Sequence, residues 1–157
     1  MRRFSILVIA LALGACAETP RESLDEARQA LAESSYADAI AAADMGLAGN
    51  ADAVTAWGLE LVMLEALARD GRGDDALAQL EELAALRPEH MPSTQYSATA
   101  DQLRAAGQGG AAIQVLDAGL GRFPEDPMLL GLIEEAKAAP APGSEELEML
   151  RSLGYVD

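Results

Sequence analysis

A chain of 157 residues with 26 acidic side chains against 11 Lys and Arg carries a formal charge of −15, with an isoelectric point of about 4.3. That balance excludes nucleic acid as a partner, because binding phosphate requires clustered Lys and Arg. A single cysteine excludes an intrachain disulfide framework.

Arg2 and Arg3 precede an apolar run, Phe4 to Leu13, only about half the roughly 20 residues that a membrane span requires. The run ends in Leu13-Gly14-Ala15-Cys16. Small residues suit the cleft of a signal protease, and an ordinary secretory signal with a cysteine near its cut is the plainer reading. The tetrapeptide resembles the bacterial lipobox. The resemblance implies a diacylglyceryl thioether on Cys16, cleavage before it and acylation of the new terminus. Residues 1–15 are then a lipoprotein signal peptide, and 16–19 a lipidated cysteine with a short tether. Cleavage removes two arginines and no acid, leaving a charge of −17. Anionic lipid repels such a domain, so attachment rests on acyl chains, whose buried CH2 groups contribute about 0.8 kcal/mol each. By the sorting rule of enteric bacteria, Ala17 in place of Asp implies the outer membrane, with the domain on the periplasmic side of the envelope.

Thr19-Pro20-Arg21-Glu22 is a capping box with proline at the first helical position, so helix begins at Pro20. Only residues 17–19 separate Cys16 from the fold, about 10 Å at full extension. Helices are expected over 20–33, 36–48, 52–70, 74–87, 94–106 and 110–122, with Gly, Ser and Pro at the breaks. No alternating β-branched run predicts a strand. Asp126-Pro127 repeats the cap-plus-proline start for a seventh helix over 127–139. Pro140 to Gly143 reads as a stiff linker. In the tail that follows, 144–157, Leu147, Leu150 and Leu153 fall on one face. The tail reads either as a helix folded back on the domain or as a segment offered to a groove, its own or a partner's.

One stretch occurs twice. Gly71 to Pro88 recurs at Gly107 to Pro124, 36 residues on, with Ala76 matching Ala112 and Leu80 matching Leu116. In each copy a glycine turn is followed by apolar residues at helical spacing and a closing proline, so each reads as the second helix of a helix-turn-helix pair. Self-similarity of this size signals a stacked repeat architecture. The pattern resembles the tetratricopeptide repeat. Tyr96, Ala100, Leu103, Gly107, Ala112, Leu116 and Pro124 carry the resemblance in the third unit. The second unit departs from it with Leu64 in place of a small residue, and the first with Ala43 and with Ala51 for the closing proline. The implied fold is all-α: a helix-turn-helix repeat solenoid over 20–139 of three units with a capping helix, then a short C-terminal helix.

In that family the first helix of each pair lines a concave face. Projected onto this chain, Arg28, Glu65 and Asp101 share one slot, with Arg69 and Arg104 a turn later and Leu24, Leu61 and Ser97 a turn earlier. A mixed-charge row beside an apolar stripe suits an amphipathic helix or extended peptide as partner. The alternative is a solvated face that holds nothing. Catalytic and metal motifs give no competing lead: His90 is the only histidine, and Arg72-Gly73-Asp74 falls in a turn that the repeat requires. The expectation is therefore a lipid-anchored scaffold or adaptor, with no cofactor and no metal, that binds a protein or peptide in assembling a pilus, secretion or outer-membrane complex. Repeat lipoproteins of the pilotin type are the resemblance behind the pilus reading. The competing expectation is an accessory of an envelope enzyme, or an enzyme working through surface carboxylates.

Overall fold

The computed structural model describes residues 19–138, 140, 141 and 143–157, and among these every regular element is helical. The helices are α1 (Pro20–Ala32), α2 (Tyr36–Ala48), α3 (Ala53–Arg69), α4 (Gly73–Leu86), α5 (Ser93–Ala105), α6 (Gly109–Arg122), α7 (Pro127–Ala138) and α8 (Glu145–Ser152). A short 3-10 turn, Pro88–His90, joins α4 to α5. The expected signal peptide and the lipidated Cys16 lie outside the described residues, as do positions 139 and 142.

Local chemistry starts the helices where the sequence places it. The Thr19 hydroxyl accepts from the Glu22 backbone N–H at 3.3 Å, while the Glu22 carboxylate accepts from the Thr19 N–H at 2.8 Å, the reciprocal capping box. Asp52 accepts from the N–H groups of Val54 and Thr55, and Asp126 from those of Met128 and Leu129. All three carboxyls sit below the usual carboxylate range. The causes are first the Thr19 N–H for Glu22, the Thr55 hydroxyl for Asp52 and the Ser93 hydroxyl for Asp126. These caps therefore stabilise the fold above the ordinary carboxylate pKa and weaken as pH falls through the lowered values.

A recurring turn ends α1, α3 and α5. Ser34, Gly71 and Gly107 have φ of +61, +74 and +80, the left-handed region that favours glycine. In each case the next N–H bonds back five residues: Ser35 to Ala30, Arg72 to Leu67 and Gln108 to Leu103. This is the Schellman closure, which satisfies carbonyls that a helix end leaves open. The same closure follows α8, where Gly154 has φ +81 and the Tyr155 N–H bonds back to the Leu150 carbonyl at 2.9 Å.

The helices pack in neighbouring pairs. α1 lies against α2, α3 against α4, and α5 against α6. Odd helices also contact one another in order, α1 to α3, α3 to α5 and α5 to α7, while α6 links α4 with α8. The core between the layers is built from small and large residues in alternation. Ala27, Ala43 and Ala76 are fully buried in one cluster with Leu59, Leu64, Leu80 and Leu103, while Ala39 and Ala66 are buried in a second cluster against Leu31, Tyr36 and Ile40. Small residues let helix axes approach, and close approach leaves no room for an added methyl. At Gly119 a Cβ would stand 3.0 Å from both the Leu129 Cδ1 and the Tyr96 Cβ, so α5, α6 and α7 meet there without slack.

The C-terminal segment folds onto the array rather than away from it. Glu146 and Glu145 lie over Gly109 and Gly110 at the start of α6, and Tyr155 reaches Asp117 further along. α8 thus runs parallel to α6. Its first residue also keeps the period: the even helices begin at Tyr36, Gly73, Gly109 and Glu145. Leu150 is fully buried, and Met149, Tyr155 and Val156 pack on the main core. Of the two readings of the tail, the structure has the helix folded back on the domain, as the second helix of a fourth, shorter pair with α7 that rests mainly on α6.

Two glycine substitutions separate packing from propensity. Gly119→Ala should cost about 1–3 kcal/mol through overpacking. Gly131→Ala, in α7 with nothing within 4 Å of the new Cβ, should gain about 0.5–1 kcal/mol from reduced chain entropy. Urea unfolding of both variants checks this, and equal shifts of one sign would contradict it.

Candidate functional site

The odd helices expose a row of charge on their outer side. On α3, Glu65 and Arg69 pair at 2.6 Å, a spacing of four residues that faces both side chains the same way. On α5, Arg104 donates to Asp101 at 3.0 Å and, through its other amine, to Glu135 of α7 at 3.0 Å. The guanidinium fork thus ties α5 to α7. On α1, Arg28 and Asp25 approach to 3.9 Å. These side chains are 34–74% exposed, so the pairs contribute little to stability, about 0–1 kcal/mol each. They are available for exchange with a partner's charges.

Beside this row lies an open hollow of about 420 Å³, lined by Tyr36, Arg69, Asp101, Gln102, Ala105 and Ala106. It forms where the start of α2 and the ends of α3 and α5 come together. Two alanines, an aromatic ring, and one cation and one anion from adjacent helices line it together. Such a surface can take a side chain bearing a charge at the tip and an apolar stem.

The expected groove residues divide. Glu65, Arg69, Asp101 and Arg104 fall on one continuous face. Arg28 belongs to the same row but does not line the hollow. Leu61 is half-buried and packs on the core. Leu24 and Ser97 are 7% and 5% exposed, and they belong to the packing between helices. Leu24 fills the space over Gly58 of α3. The Ser97 hydroxyl donates to the Thr94 carbonyl at 3.0 Å, and that local bond lets a serine sit in the core. The apolar stripe of the projection is therefore largely consumed by the fold. Tyr36, Gln102 and Glu135 join the face unannounced. Tyr36 stands on a second helix, and Glu135 on the helix that the sequence offered only as a cap.

Other polar groups give weaker leads. Burial, then the nearby Glu82 charge, pushes the half-buried Glu60 carboxyl upward, while Gln79 donates to it at 3.2 Å. Among the described residues no group of His, Cys, Asp and Glu is arranged to hold a metal ion. The Arg87 guanidinium lies 5.2 Å over the Trp57 ring, which also faces His90 at 5.8 Å.

On the opposite layer, the Tyr155 hydroxyl donates to Asp117 at 2.7 Å and fastens the chain end to α6. Burial first, then the bond to the Asp117 carboxylate, pushes the phenol up to about 12 from 10. A raised folded pKa means that this contact is fully present below pH 10 and is lost as pH climbs through about 12. The ultraviolet titration of the native chain minus that of Tyr155→Phe should therefore show one phenolate transition at about 12. A difference transition at 10 would mean that the chain end is not docked.

The chain matches no protein-family model, and neither a curated protein nor a solved structure matches it.

Proposed function

We propose that this chain is a tetratricopeptide-type lipoprotein, acylated on Cys16 and acting as an adaptor on the periplasmic side of an envelope membrane. Its odd-helix face holds a protein or peptide partner. The lipobox before Cys16 supports the anchor. The repeat resemblance, together with helices that pair and recur at intervals of 36–37 residues at their even-numbered starts, supports the scaffold. The observation that carries the binding reading is the charged row from Glu65 and Arg69 through Asp101 and Arg104 to Glu135, set against a hollow lined in part by alanine.

A fitting partner presents Arg or Lys on an extended or helical segment, its stem over Ala105 and Ala106 and its charge on Asp101. Binding of that kind exchanges weak intramolecular pairs for intermolecular ones, which favours reversible capture. It suits a protein that positions a component during assembly of a pilus, secretion or outer-membrane complex.

Charge reversal tests the face. Glu65→Arg with Asp101→Arg should weaken partner capture in crosslinked cells at least about tenfold, since like charges forced together across an interface cost several kcal/mol. Asp44→Arg with Glu81→Arg, both exposed on even helices, should leave capture unchanged; Asp117 is unsuitable as a control because Tyr155 depends on it. Cys16→Ser should abolish fatty-acid labelling and release the protein from the membrane fraction. Capture lost with the even-helix pair and kept with the odd-helix pair would move the binding face to the other layer.

A further inference from the structure

Helices that alternate in direction gather their ends into two clusters. Gly49, after α2, abuts the Pro20 ring at the start of α1. Arg87, after α4, donates to the Ala53 carbonyl at the start of α3 at 3.4 Å. Arg122, closing α6, donates to the Ala84 and Pro88 carbonyls at 2.9 and 3.3 Å. Phe123, between α6 and α7, sets its ring 6.1 Å from that of Tyr96 in the first turn of α5. One end of the array therefore holds the starts of α1, α3, α5 and α7 with the ends of α2, α4 and α6. Thr19, the first described residue, belongs to this end.

The most exposed large apolar side chains of the described residues are concentrated there. Val54 is 81% exposed, Leu86 63% and Met128 53%. They occupy the second residue of α3, the last of α4 and the second of α7. Helix ends are ordinarily finished with polar residues, because open N–H and C=O groups draw water. Three large apolar side chains at such positions are unpartnered surface.

Charge is distributed in the same sense. At this end Glu22, Asp52 and Asp126 are engaged as helix caps, and Arg21, Arg87 and Arg122 partly offset these and the exposed Glu89 and Glu125. The opposite end collects the acids of the α4 and α8 starts, among them Asp74, Asp75, Glu145 and Glu146. An acidic domain brought to a lipid surface minimises repulsion by turning its acid-rich end away.

We infer that the end bearing Val54, Leu86 and Met128 is a bilayer-contacting face, seated on phospholipid headgroups once Cys16 is acylated. The inference rests on the lipid-anchor reading. Three residues between Cys16 and α1 span about 10 Å at most, so this end cannot stand away from the membrane that holds the acyl chains. Val, Leu and Met side chains entering the interface add apolar contact to the anchor. They also fix the array upright, with the hollow near Tyr36 and Arg69 at the far end, pointing into the periplasm.

The test uses the full acylated chain on phosphatidylcholine vesicles. Cys16 is the only thiol and the thioether consumes it, so single nitroxide labels go on Val54→Cys, Leu86→Cys, Met128→Cys and, at the far end, Asp74→Cys. Flotation with the vesicles reads the anchor, and collision of the label with oxygen or with an aqueous nickel chelate reads the face. The expected result is that the first three labels lose nickel accessibility and gain oxygen accessibility on vesicles, while the Asp74→Cys label keeps its solution values. Protein that floats with all labels in water overturns the face and leaves the anchor standing. Protein that fails to float overturns both. Labels shielded without vesicles, with a doubled mass in solution, would assign the face to a second copy of the chain and overturn the lipid assignment.

Discussion

At Ser34, Gly71 and Gly107 a single residue with positive φ follows an odd-numbered helix, and the next N–H closes on a carbonyl five residues back. That closure reverses the chain within two residues and starts an even-numbered helix without a side-chain cap, as α2, α4 and α6 all do. The antiparallel pairing, the alanine and glycine seams and the clustering of helix ends all depend on this tight reversal. A longer or looser connection would let each second helix slide, and the small residues at the seams would then face cavities rather than neighbours. Gly154 repeats the closure after α8, and the chain end is secured by Leu150 and by Tyr155 on Asp117.

The packing decides which residues stay exposed. The apolar positions of the odd helices are drawn into the seams, so the outer face is left with charge. There the arginines are already shared with acids on the same or the next helix. Such a face is poor at holding a purely apolar ligand and good at exchanging ion pairs. The remaining exposed apolar surface lies mostly toward the helix ends beside Thr19. One fold thus presents two chemistries at right angles to each other: charge along the helices and apolar side chains at their ends.

Much of this was legible in the sequence because it is written in short-range chemistry. The capping box at Thr19, the Asp126-Pro127 start and the glycine turns at Gly71 and Gly107 each act within a few residues, and helix boundaries follow from them. The first turn and the last helix were harder. Ser34 adopts a glycine conformation without being glycine, and α8 keeps the spacing of the even helices while replacing Ala112 of the pattern with exposed Glu148. Its burial runs through Leu150 instead. Periodicity detected by residue identity stops where identity stops, although the backbone continues. The face was half legible for a related reason. Leu24 and Ser97 lie about a turn from charged positions that do face outward, and helical spacing alone does not tell the seam from the open surface. Glu135 was invisible because its partner, Arg104, lies 31 residues away on another helix.

The reversal at Ser34 offers the most direct test. A serine held at φ +61 bears the steric cost of a Cβ in the left-handed region, which glycine does not. If the positive-φ closure is what sets the array, Ser34→Gly should raise the urea midpoint of the full chain, corresponding to a gain of about 1 kcal/mol after the greater entropy of glycine in the unfolded chain is set against it. A midpoint that falls, as it would if Ser34 lay in ordinary helical or extended backbone, would contradict the account.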